Sequence, residues 1–348
     1  MIKIRIDDRD CSELGSGISR YTKLLKVYLS KNPKIKLSNF PKTAFRLQRK
    51  LNSYGLLPAT DSRLAKVDLV IYPNFAYWPT VNSKLVATVI HDLTYINYSE
   101  CVESKNLAHL RRVVPKAVKK SDYIITISNS IKNEIKKQFN VDESKFILTP
   151  IPPDEVFYKK LNREVHDKYK IPTKKYILFV GNLEPRKNLS TLIKAYRLMP
   201  KKIRDEYSLI IGGGKGWKFE ETEKLLKNGP KDENIRRIGF IDQKDLPALY
   251  QKASCFVMPS HYEGFGIPIL EALASGCPVV VSDIPVFHET GGSAINYANP
   301  NSPESFSREI MKTLNNGFNP AKATEHLKKF SWEKNIQTII EKIQEDNL

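Results

Sequence analysis

Residues 255–276 read CFVMPSHYEGFGIPILEALASG and place three structural elements in order. The apolar run Cys255–Met258 predicts a buried strand. Pro268 suits the first turn of a helix and Gly276 suits the position just past its end, so these two residues bound a short helix. Two glycines lie in the loop between the strand and the helix. A strand, a glycine-containing loop and a helix in this order are typical of a parallel α/β sheet.

The same order of elements recurs along the chain. Short apolar runs alternate with longer segments of helical periodicity, which predicts parallel sheets joined by right-handed crossovers. The predicted strands are Ile2–Ile6, Asp68–Tyr72, Leu85–Ile90, Tyr123–Ile127, Tyr176–Val180, Ser208–Ile211, Ile235–Ile238, Cys255–Met258 and Val279–Val281.

A proline-rich stretch divides the chain into two parts of ordinary domain size. Three of the four residues at 150–153 are prolines, which can continue neither a helix nor a central strand. We expect an N-terminal Rossmann-like domain over residues 1–160 and a C-terminal domain over residues 161–330. We expect the last helix, within residues 331–348, to pack back on the first domain.

The composition is that of a folded protein without a membrane span. The chain has 348 residues, of which 41% are hydrophobic and 27% are charged, enough for two domains with their own cores. No apolar run approaches the roughly 18 residues that a membrane-spanning helix needs. The N-terminus lacks the apolar segment of a secretion signal, and the four cysteines follow neither a zinc-site nor a disulfide pattern. These features predict a cytoplasmic protein.

The formal net charge of +18 is concentrated in the first part of the chain. Residues 1–200 hold 37 Lys and Arg against 18 Asp and Glu, whereas residues 201–348 hold 19 against 20. Such a surplus attracts nucleic acid, anionic lipid or phosphorylated substrates, or it is a solvated basic face. No zinc-finger spacing or RNA-binding signature supports nucleic acid. The cations cluster at Lys31, Lys34, Lys36, Lys42, Arg46, Arg49 and Lys50, and at Arg111, Arg112, Lys116, Lys119 and Lys120.

Two cations follow the predicted strand that ends at Val180. Ligands of open parallel sheets bind beyond the carboxyl ends of the strands, and Arg186 and Lys187 lie in the turn before a helical segment for which Asn188 is a suitable N-cap. Cations beside the free amides of a helix start favour a phosphate. The stretch is therefore a candidate phosphate site, and its alternative interpretation is two solvated cations in a loop.

Two carboxylates, Glu263 and Glu271, flank the loop after the strand Cys255–Met258. Gly264 and Gly266 allow the backbone between them to approach a ligand closely, so that nearby amides can face an anion or a sugar hydroxyl. A carboxylate on each side of such amides can bind two sets of hydroxyls. The alternative interpretation is a surface carboxylate and a charge within a helix.

Three weaker signals lie after other predicted strands. A glycine-rich turn containing Gly15 and Gly17 opens a helix and can admit a diphosphate or a sugar. His91 can donate a hydrogen bond or move a proton, with Asp92 orienting it, although a lone histidine is more often structural. The D-x-D form at residues 8–10 is discounted as a metal site because no other metal-ligand cluster accompanies it.

Together, these motifs resemble the donor domain of retaining family-4 glycosyltransferases with the GT-B fold. The similarity is dense from about residue 176 to 300 and includes GNLEPRKN at 181–188, EGFGIPILE at 263–271 and GCPVV at 276–280. In the first domain, VIHDL at 89–93 and IITISNS at 124–130 also resemble the family, particularly its branch of bacterial mannosyl- and rhamnosyltransferases. Residues 31–62 match no part of the family pattern, so the acceptor-binding residues are unknown.

The resemblance implies that the two domains face a cleft, with the acceptor side in the N-terminal domain and the nucleotide-sugar donor in the C-terminal domain. It also implies a role for each motif residue. Arg186 and Lys187 would hold the donor diphosphate and stabilise its charge as it leaves. Glu263 would hold the transferred sugar, Glu271 the ribose, and His91 would contact the sugar at the reaction centre. The implied donor-binding residues are Gly15, Gly17, Gly181, Arg186, Lys187, Gly239, Phe240, Ile241, Glu263, Gly264, Phe265, Gly266, Ile267 and Glu271.

The resemblance also implies a retaining transfer with neither a metal nor a cofactor. GDP-mannose is the first candidate donor, and dTDP-rhamnose and UDP-hexoses are alternatives. The implied acceptor is a glycan or a lipid-linked glycan of a surface polysaccharide. From the charge distribution, we expect the basic face of the first domain of this cytoplasmic enzyme to dock on the anionic inner surface of the cell membrane that carries such an acceptor. The alternatives are another GT-B enzyme of nucleotide sugars, such as an epimerase, and a non-catalytic module that binds lipid or nucleic acid.

Overall fold

A computed structural model of the chain contains two compact units. The first unit comprises Met1–Ile151 together with Ser331–Leu348, and the second unit comprises Pro152–Phe330. The division falls inside the proline-rich stretch. The residues that the structure describes are 1–9, 17–41, 63–161, 163–172, 175–214, 216, 218–230 and 234–345.

A parallel six-stranded sheet forms the centre of the first unit, with the strand order β2-β1-β3-β4-β5-β6. Ile4 of β1 lies opposite Leu37 of β2 and Leu69 of β3. Most residues of the inner strands β3, β4 and β5 are buried, which explains why these strands are almost continuous apolar runs. The inner strand β1 instead alternates apolar and charged residues, and its Lys3 is exposed. The strands are β1 (Ile2–Ile6), β2 (Ile35–Asn39), β3 (Val67–Tyr72), β4 (Ser83–Ile90), β5 (Tyr123–Thr126) and β6 (Phe146–Leu148).

The C-terminal helix belongs to the first unit. The Trp332 ring lies 5.6 Å from the ring of Tyr21 and 5.7 Å from that of Tyr28. Asn335 Nδ2 donates a hydrogen bond of 2.7 Å to the carbonyl of Pro150. The α-helices described in this unit are Gly17–Lys31, Thr94–Asn97, Ser104–Lys120, Asn129–Phe139 and Trp332–Glu345.

A second parallel six-stranded sheet forms the centre of the second unit, with the order β12-β11-β10-β7-β8-β9. The strands are β7 (Lys175–Val180), β8 (Tyr207–Gly212), β9 (Ile235–Gly239), β10 (Cys255–Met258), β11 (Val279–Ser282) and β12 (Asn296–Ala298). The α-helices described here are His166–Tyr169, Leu189–Leu198, Lys201–Glu206, Glu220–Lys227, Leu246–Lys252, Ile267–Ala274, Pro285–Gly291, Pro303–Asn316 and Pro320–Leu327.

The strand order of the second sheet creates a crevice between two loops. The chain runs outward from β7 to β9, returns to the other side of β7 as β10, and continues outward to β12. The loops after β7 and β10 therefore leave neighbouring strand ends in opposite directions, which is the topological switch point where open α/β sheets bind ligands.

The sequence did not predict three short strands, β2, β6 and β12. Each lies at an edge of its sheet, where one side of the strand lacks a neighbour and where polar residues such as Lys36 are tolerated. Edge position removes the continuous apolar signal of an inner strand. Of the helices described, none has both the length and the apolar character needed to cross a membrane.

Candidate active site

The site is built on the two loops that meet at the switch point of the second unit. After β7, a short 3₁₀ turn at Pro185–Lys187 leads into Asn188, which has a left-handed backbone with φ of 54°. Asn188 Nδ2 donates to the carbonyls of Pro259, at 2.9 Å, and Pro300, at 2.8 Å. Its side chain therefore ties the first loop to the second, and does not cap the helix Leu189–Leu198 as predicted.

Arg186 and Lys187 converge on Glu263 from the opposite loop. Arg186 Nη1 lies 2.9 Å from Glu263 Oε2, and Lys187 Nζ lies 2.6 Å from Oε1. Ser260 Oγ also donates to Oε1, at 2.8 Å. Arg186 Nη1 donates in addition to the Tyr262 carbonyl, at 2.7 Å. The structure thus joins two motifs that the sequence places 76 residues apart.

Glu263 is ionised at neutral pH although only 8% of the residue is exposed. Burial acts to raise the pKa of its carboxyl, but the charges of Arg186 and Lys187 and the hydrogen bonds from Lys187 and Ser260 outweigh burial and lower the pKa to about 2. The buried carboxylate holds both cations beside the carboxyl ends of β7 and β10. This arrangement suits recognition of a phosphate by the cations and of a hydroxyl by the carboxylate.

A second carboxylate, Glu184, completes the cluster and was not singled out from the sequence. Its Oε1 lies 2.5 Å from Arg186 Nη2. Only the position of Glu184, two residues before Arg186 in the same loop, could have indicated this contact.

Four glycines bring the ends of β7, β8 and β9 into close contact. Gly213 has φ of +138°, and a Cβ placed there would lie 1.9 Å from the Gly181 carbonyl oxygen. The Gly213 amide donates to the Gly239 carbonyl at 2.7 Å, and the Gly181 amide donates to the Gly212 carbonyl at 3.0 Å. The glycine run at 212–214 is the sequence signal for this packing, and it was missed.

The loop after β9 presents one large apolar side chain to solvent. Phe240 is 69% exposed, next to Gly239, whose φ is +69°. Ile241 is buried. The hydroxyl of Tyr169 accepts a hydrogen bond of 3.2 Å from the Asp242 amide and donates one of 2.9 Å to the Asp245 carboxylate. The hydrogen bonds of Tyr169 therefore hold the loop in place, while the Phe240 ring within it is exposed.

The loop from Gly264 to Ile267 leads directly into the helix Ile267–Ala274. Gly266 has φ of +92°, and Phe265 is buried with its carbonyl accepting a hydrogen bond of 2.5 Å from Thr290 Oγ1. In the first turn, Pro268 has no amide hydrogen and the Ile269 amide donates to the Gly266 carbonyl at 2.9 Å. The Ile267 amide, at the start of the helix, is therefore the first-turn donor suited to contact a ligand. Glu271 lies inside this helix, buried, and accepts a hydrogen bond of 3.4 Å from the Tyr250 hydroxyl.

The predicted site residues of the N-terminal part lie in the first unit. His91 follows β4 and is buried, and its Nε2 donates to the Pro73 carbonyl at 2.8 Å. Burial lowers the pKa of His91, so the ring is neutral at pH 7. Asp92 does not orient the His91 ring as predicted. The Asp92 carboxylate accepts a hydrogen bond of 2.9 Å from the Thr94 amide, and the Pro73 carbonyl holds the ring instead.

The remaining two signals of the first unit lie near β1. Gly17 begins the helix Gly17–Lys31, whereas Gly15 lies outside the described residues. Of the D-x-D stretch, Asp8 pairs with Lys26 at 2.7 Å, and Asp10 lies outside the described part. Over the residues described, no group of three or more His, Cys, Asp and Glu is placed to hold a metal ion.

Fold and site together define a class of protein. Two Rossmann-like sheets, with two partly buried cations beside a buried carboxylate at a strand switch point, are typical of enzymes that use nucleotide-linked substrates. Residues 162–334 match the family model described as glycosyl transferases group 1.

Two similar proteins point to the same class, and a solved structure shares the fold. The chain is 33% identical to O-antigen chain mannosyltransferase B of Escherichia coli over 77% of this chain and 72% of that protein. It is 29% identical to O-antigen chain mannosyltransferase RfbU of Salmonella typhimurium over 72% and 73% of the two chains. A crystal structure of Anabaena HepE in complex with UDP and glucose superposes with a TM-score of 0.71 at 16% identity, covering 99% of this chain and 100% of that one.

The chain belongs to the group 1 family of glycosyl transferases and is a glycosyltransferase. The predicted α/β fold class, GT-B with two Rossmann-like domains, is confirmed, as is the resemblance to the mannosyltransferase branch of family 4.

Proposed function

We propose that this glycosyltransferase moves mannose from GDP-mannose to a glycan or lipid-linked acceptor in surface polysaccharide synthesis, with retention of configuration and without a metal ion. The observation that carries the proposal is the pairing of Arg186 and Lys187 with the buried, ionised Glu263 at the switch point. The names of the two O-antigen mannosyltransferases support mannose and this acceptor class. dTDP-rhamnose and UDP-hexoses remain alternative donors.

The second unit supplies the donor contacts of the proposal. Arg186 and Lys187 bind the diphosphate, where they supply positive charge that a metal ion would otherwise contribute. Glu263 and the amides of Phe265–Ile267 hold the transferred sugar, and Glu271 binds the ribose hydroxyls. The base lies near Gly239, Phe240 and Ile241, where the exposed Phe240 ring offers a face for stacking. Gly181, Gly264 and Gly266 allow the backbone to approach the donor closely. The Gly17 amide contributes to binding the diphosphate.

In the proposed reaction, the acceptor hydroxyl attacks the sugar from the face that the nucleotide leaves. The bond from the anomeric carbon to the diphosphate oxygen breaks, and a bond to the acceptor oxygen forms. The leaving phosphate takes the acceptor proton. Arg186 and Lys187 stabilise the negative charge that develops on the diphosphate, so no protein nucleophile is needed.

The test is a transfer assay in EDTA with GDP-mannose and a lipid-linked oligosaccharide acceptor, followed by NMR of the product. We expect a mannosylated acceptor with the anomeric configuration of the donor. The opposite configuration would contradict retention, and activity that requires an added divalent cation would contradict metal independence. An altered sugar on the nucleotide, with none on the acceptor, would indicate the epimerase alternative, which the family relationship does not favour.

His91→Ala is expected to lower kcat by about 10²-fold while changing the affinity for GDP by less than about twofold. The reason is that the neutral His91 ring has an acceptor at Nδ1 for a sugar hydroxyl, and GDP lacks the sugar. Steady-state kinetics and calorimetry measure the two quantities on the same preparation. Equal losses of turnover and GDP affinity would make His91 a structural residue.

We also propose that the helix Ser104–Lys120 docks on an anionic membrane surface at the cytoplasmic face. It contains six Lys and Arg and no Asp or Glu. Its core-facing side includes Val114, Ala117 and Val118, and Lys116, Lys119 and Lys120 are exposed. A cationic face on a helix anchored by its apolar side suits attraction to anionic lipid headgroups.

Replacing Lys116, Lys119 and Lys120 by Gln is expected to weaken binding to phosphatidylglycerol-containing vesicles by about 100-fold, since each cation near such a surface contributes about 1 kcal/mol. Vesicle co-sedimentation at low and high salt measures the effect. The control replaces three exposed lysines of the second unit, Lys201, Lys202 and Lys312. Binding that is equal for neutral and anionic vesicles, or equal losses in both triple variants, would contradict the proposal.

A further inference from the structure

The cations of the candidate donor site are matched one for one by carboxylates. Arg186 lies between Glu184, at 2.5 Å, and Glu263, at 2.9 Å, and Lys187 lies 2.6 Å from Glu263. All four side chains are between 9% and 13% exposed. The cluster is therefore formally neutral, whereas a site for a diphosphate is expected to offer net positive charge.

The two carboxylates differ in the number of hydrogen bonds that they accept from side chains. Glu263 receives hydrogen bonds from Arg186, Lys187 and Ser260. Among the described residues, Arg186 is the one side chain that bonds the Glu184 carboxylate. An incoming anion therefore has to replace three partners to free Glu263 but one to free Glu184.

We propose that Glu184 is an internal counterion that competes with the donor diphosphate for Arg186. When the diphosphate binds, a phosphate oxygen takes the place of Glu184 Oε1 at Arg186 Nη2, while Glu263 continues to hold Lys187 and the other edge of the guanidinium. When the diphosphate leaves, Glu184 returns to Arg186. The inference rests on the proposed function and adds a residue that sets the affinity for the diphosphate.

The competition matters most for the product. The nucleoside diphosphate carries one more ionisable phosphate oxygen than the nucleotide sugar, so the two cations attract it more strongly. A carboxylate that recaptures Arg186 offsets part of this attraction. Glu184 therefore favours release of the nucleoside diphosphate after transfer, and it also lowers the affinity for the donor.

Glu184→Gln tests the inference, because glutamine keeps the shape of the side chain and removes its charge. Titration calorimetry in EDTA measures the Kd of GDP, UDP and dTDP, and of inorganic pyrophosphate as a probe without a base. We expect the variant to bind the preferred nucleoside diphosphate and pyrophosphate about three- to tenfold more tightly, with a lower donor KM and a lower kcat. Glu184→Asp, which keeps the charge, is expected to restore much of the wild-type affinity.

Glu206→Gln is the matched control. Glu206 pairs with Lys175 at 2.6 Å on the surface, where β7 and β8 begin. Glu206→Gln therefore removes the same charge as Glu184→Gln, but at the opposite end of these strands. Unchanged or weaker binding by Glu184→Gln, or tighter binding by Glu206→Gln to the same extent, would overturn the inference. If the wild-type protein binds none of the nucleoside diphosphates, the proposed function itself fails. Thermal unfolding of each variant establishes that it is folded.

Discussion

Lys187→Ala is expected to lower kcat/KM for the donor by about 10³-fold, the largest kinetic effect of any single substitution in this site. Lys187 Nζ lies 2.6 Å from Glu263 Oε1, in the proposed position to act on the leaving diphosphate. Its removal takes away charge that stabilises the transition state and leaves the buried Glu263 carboxylate with fewer cations. The lost charge slows the reaction and the altered pairing of Glu263 disturbs the geometry of the site, so both effects lower kcat/KM.

The measurement is steady-state kinetics with the donor varied at a saturating acceptor concentration. Lys175→Ala is the control, because Lys175 also forms an ion pair of 2.6 Å but lies exposed at the beginning of β7. We expect this control to retain activity, since exposed ion pairs contribute little. Wild-type kinetics in Lys187→Ala would show that the phosphate site is misplaced.

Gly213→Ala is expected to lower the free energy of unfolding by about 3 kcal/mol or more and to abolish donor binding. The new Cβ would lie 1.9 Å from the Gly181 carbonyl oxygen, and Gly213 has φ of +138°, which an L side chain rarely adopts. The backbone at Gly181, where the loop to Arg186 begins, must therefore move. Chemical denaturation and calorimetry with GDP measure the two effects.

Gly214→Ala provides the comparison one residue further along. Its added Cβ would meet nothing closer than Asn182 Oδ1, at 3.8 Å. We therefore expect a change in unfolding free energy within about 1 kcal/mol and retained binding. Equal stability of the two alanine variants would contradict the close packing of β7 and β8 at the site.

The sequence predicted the fold class because inner parallel strands carry a strong apolar signal. The carboxyl ends of those strands then indicated where a ligand site would lie, and Arg186, Lys187 and Glu263 were singled out there as candidate site residues. Their mutual contacts could not be predicted, because the alternation of elements does not say that β7 lies next to β10. The pairing depends on sheet order, which is a long-range property.

Other features escaped prediction for local reasons. A carboxylate such as Glu184 has no distinctive spacing, so its contact with Arg186 appears only in three dimensions. Asn188 suits a helix cap by residue type, but its left-handed backbone turns the side chain toward Pro259 and Pro300. Asp92 follows His91 in the chain, yet it bonds the amide of Thr94, a local contact that asparagine and aspartate often make.

The central claim is that Arg186 and Lys187, held by Glu263, form a metal-independent site for a nucleotide sugar. Calorimetry of the wild-type protein and of Lys187→Ala with GDP-mannose, dTDP-rhamnose and UDP-glucose, all in EDTA, tests it most directly. We predict that one donor binds the wild-type protein saturably and binds the variant at least about tenfold more weakly. Absence of binding by all three donors, or equal binding by the two proteins, would contradict the claim.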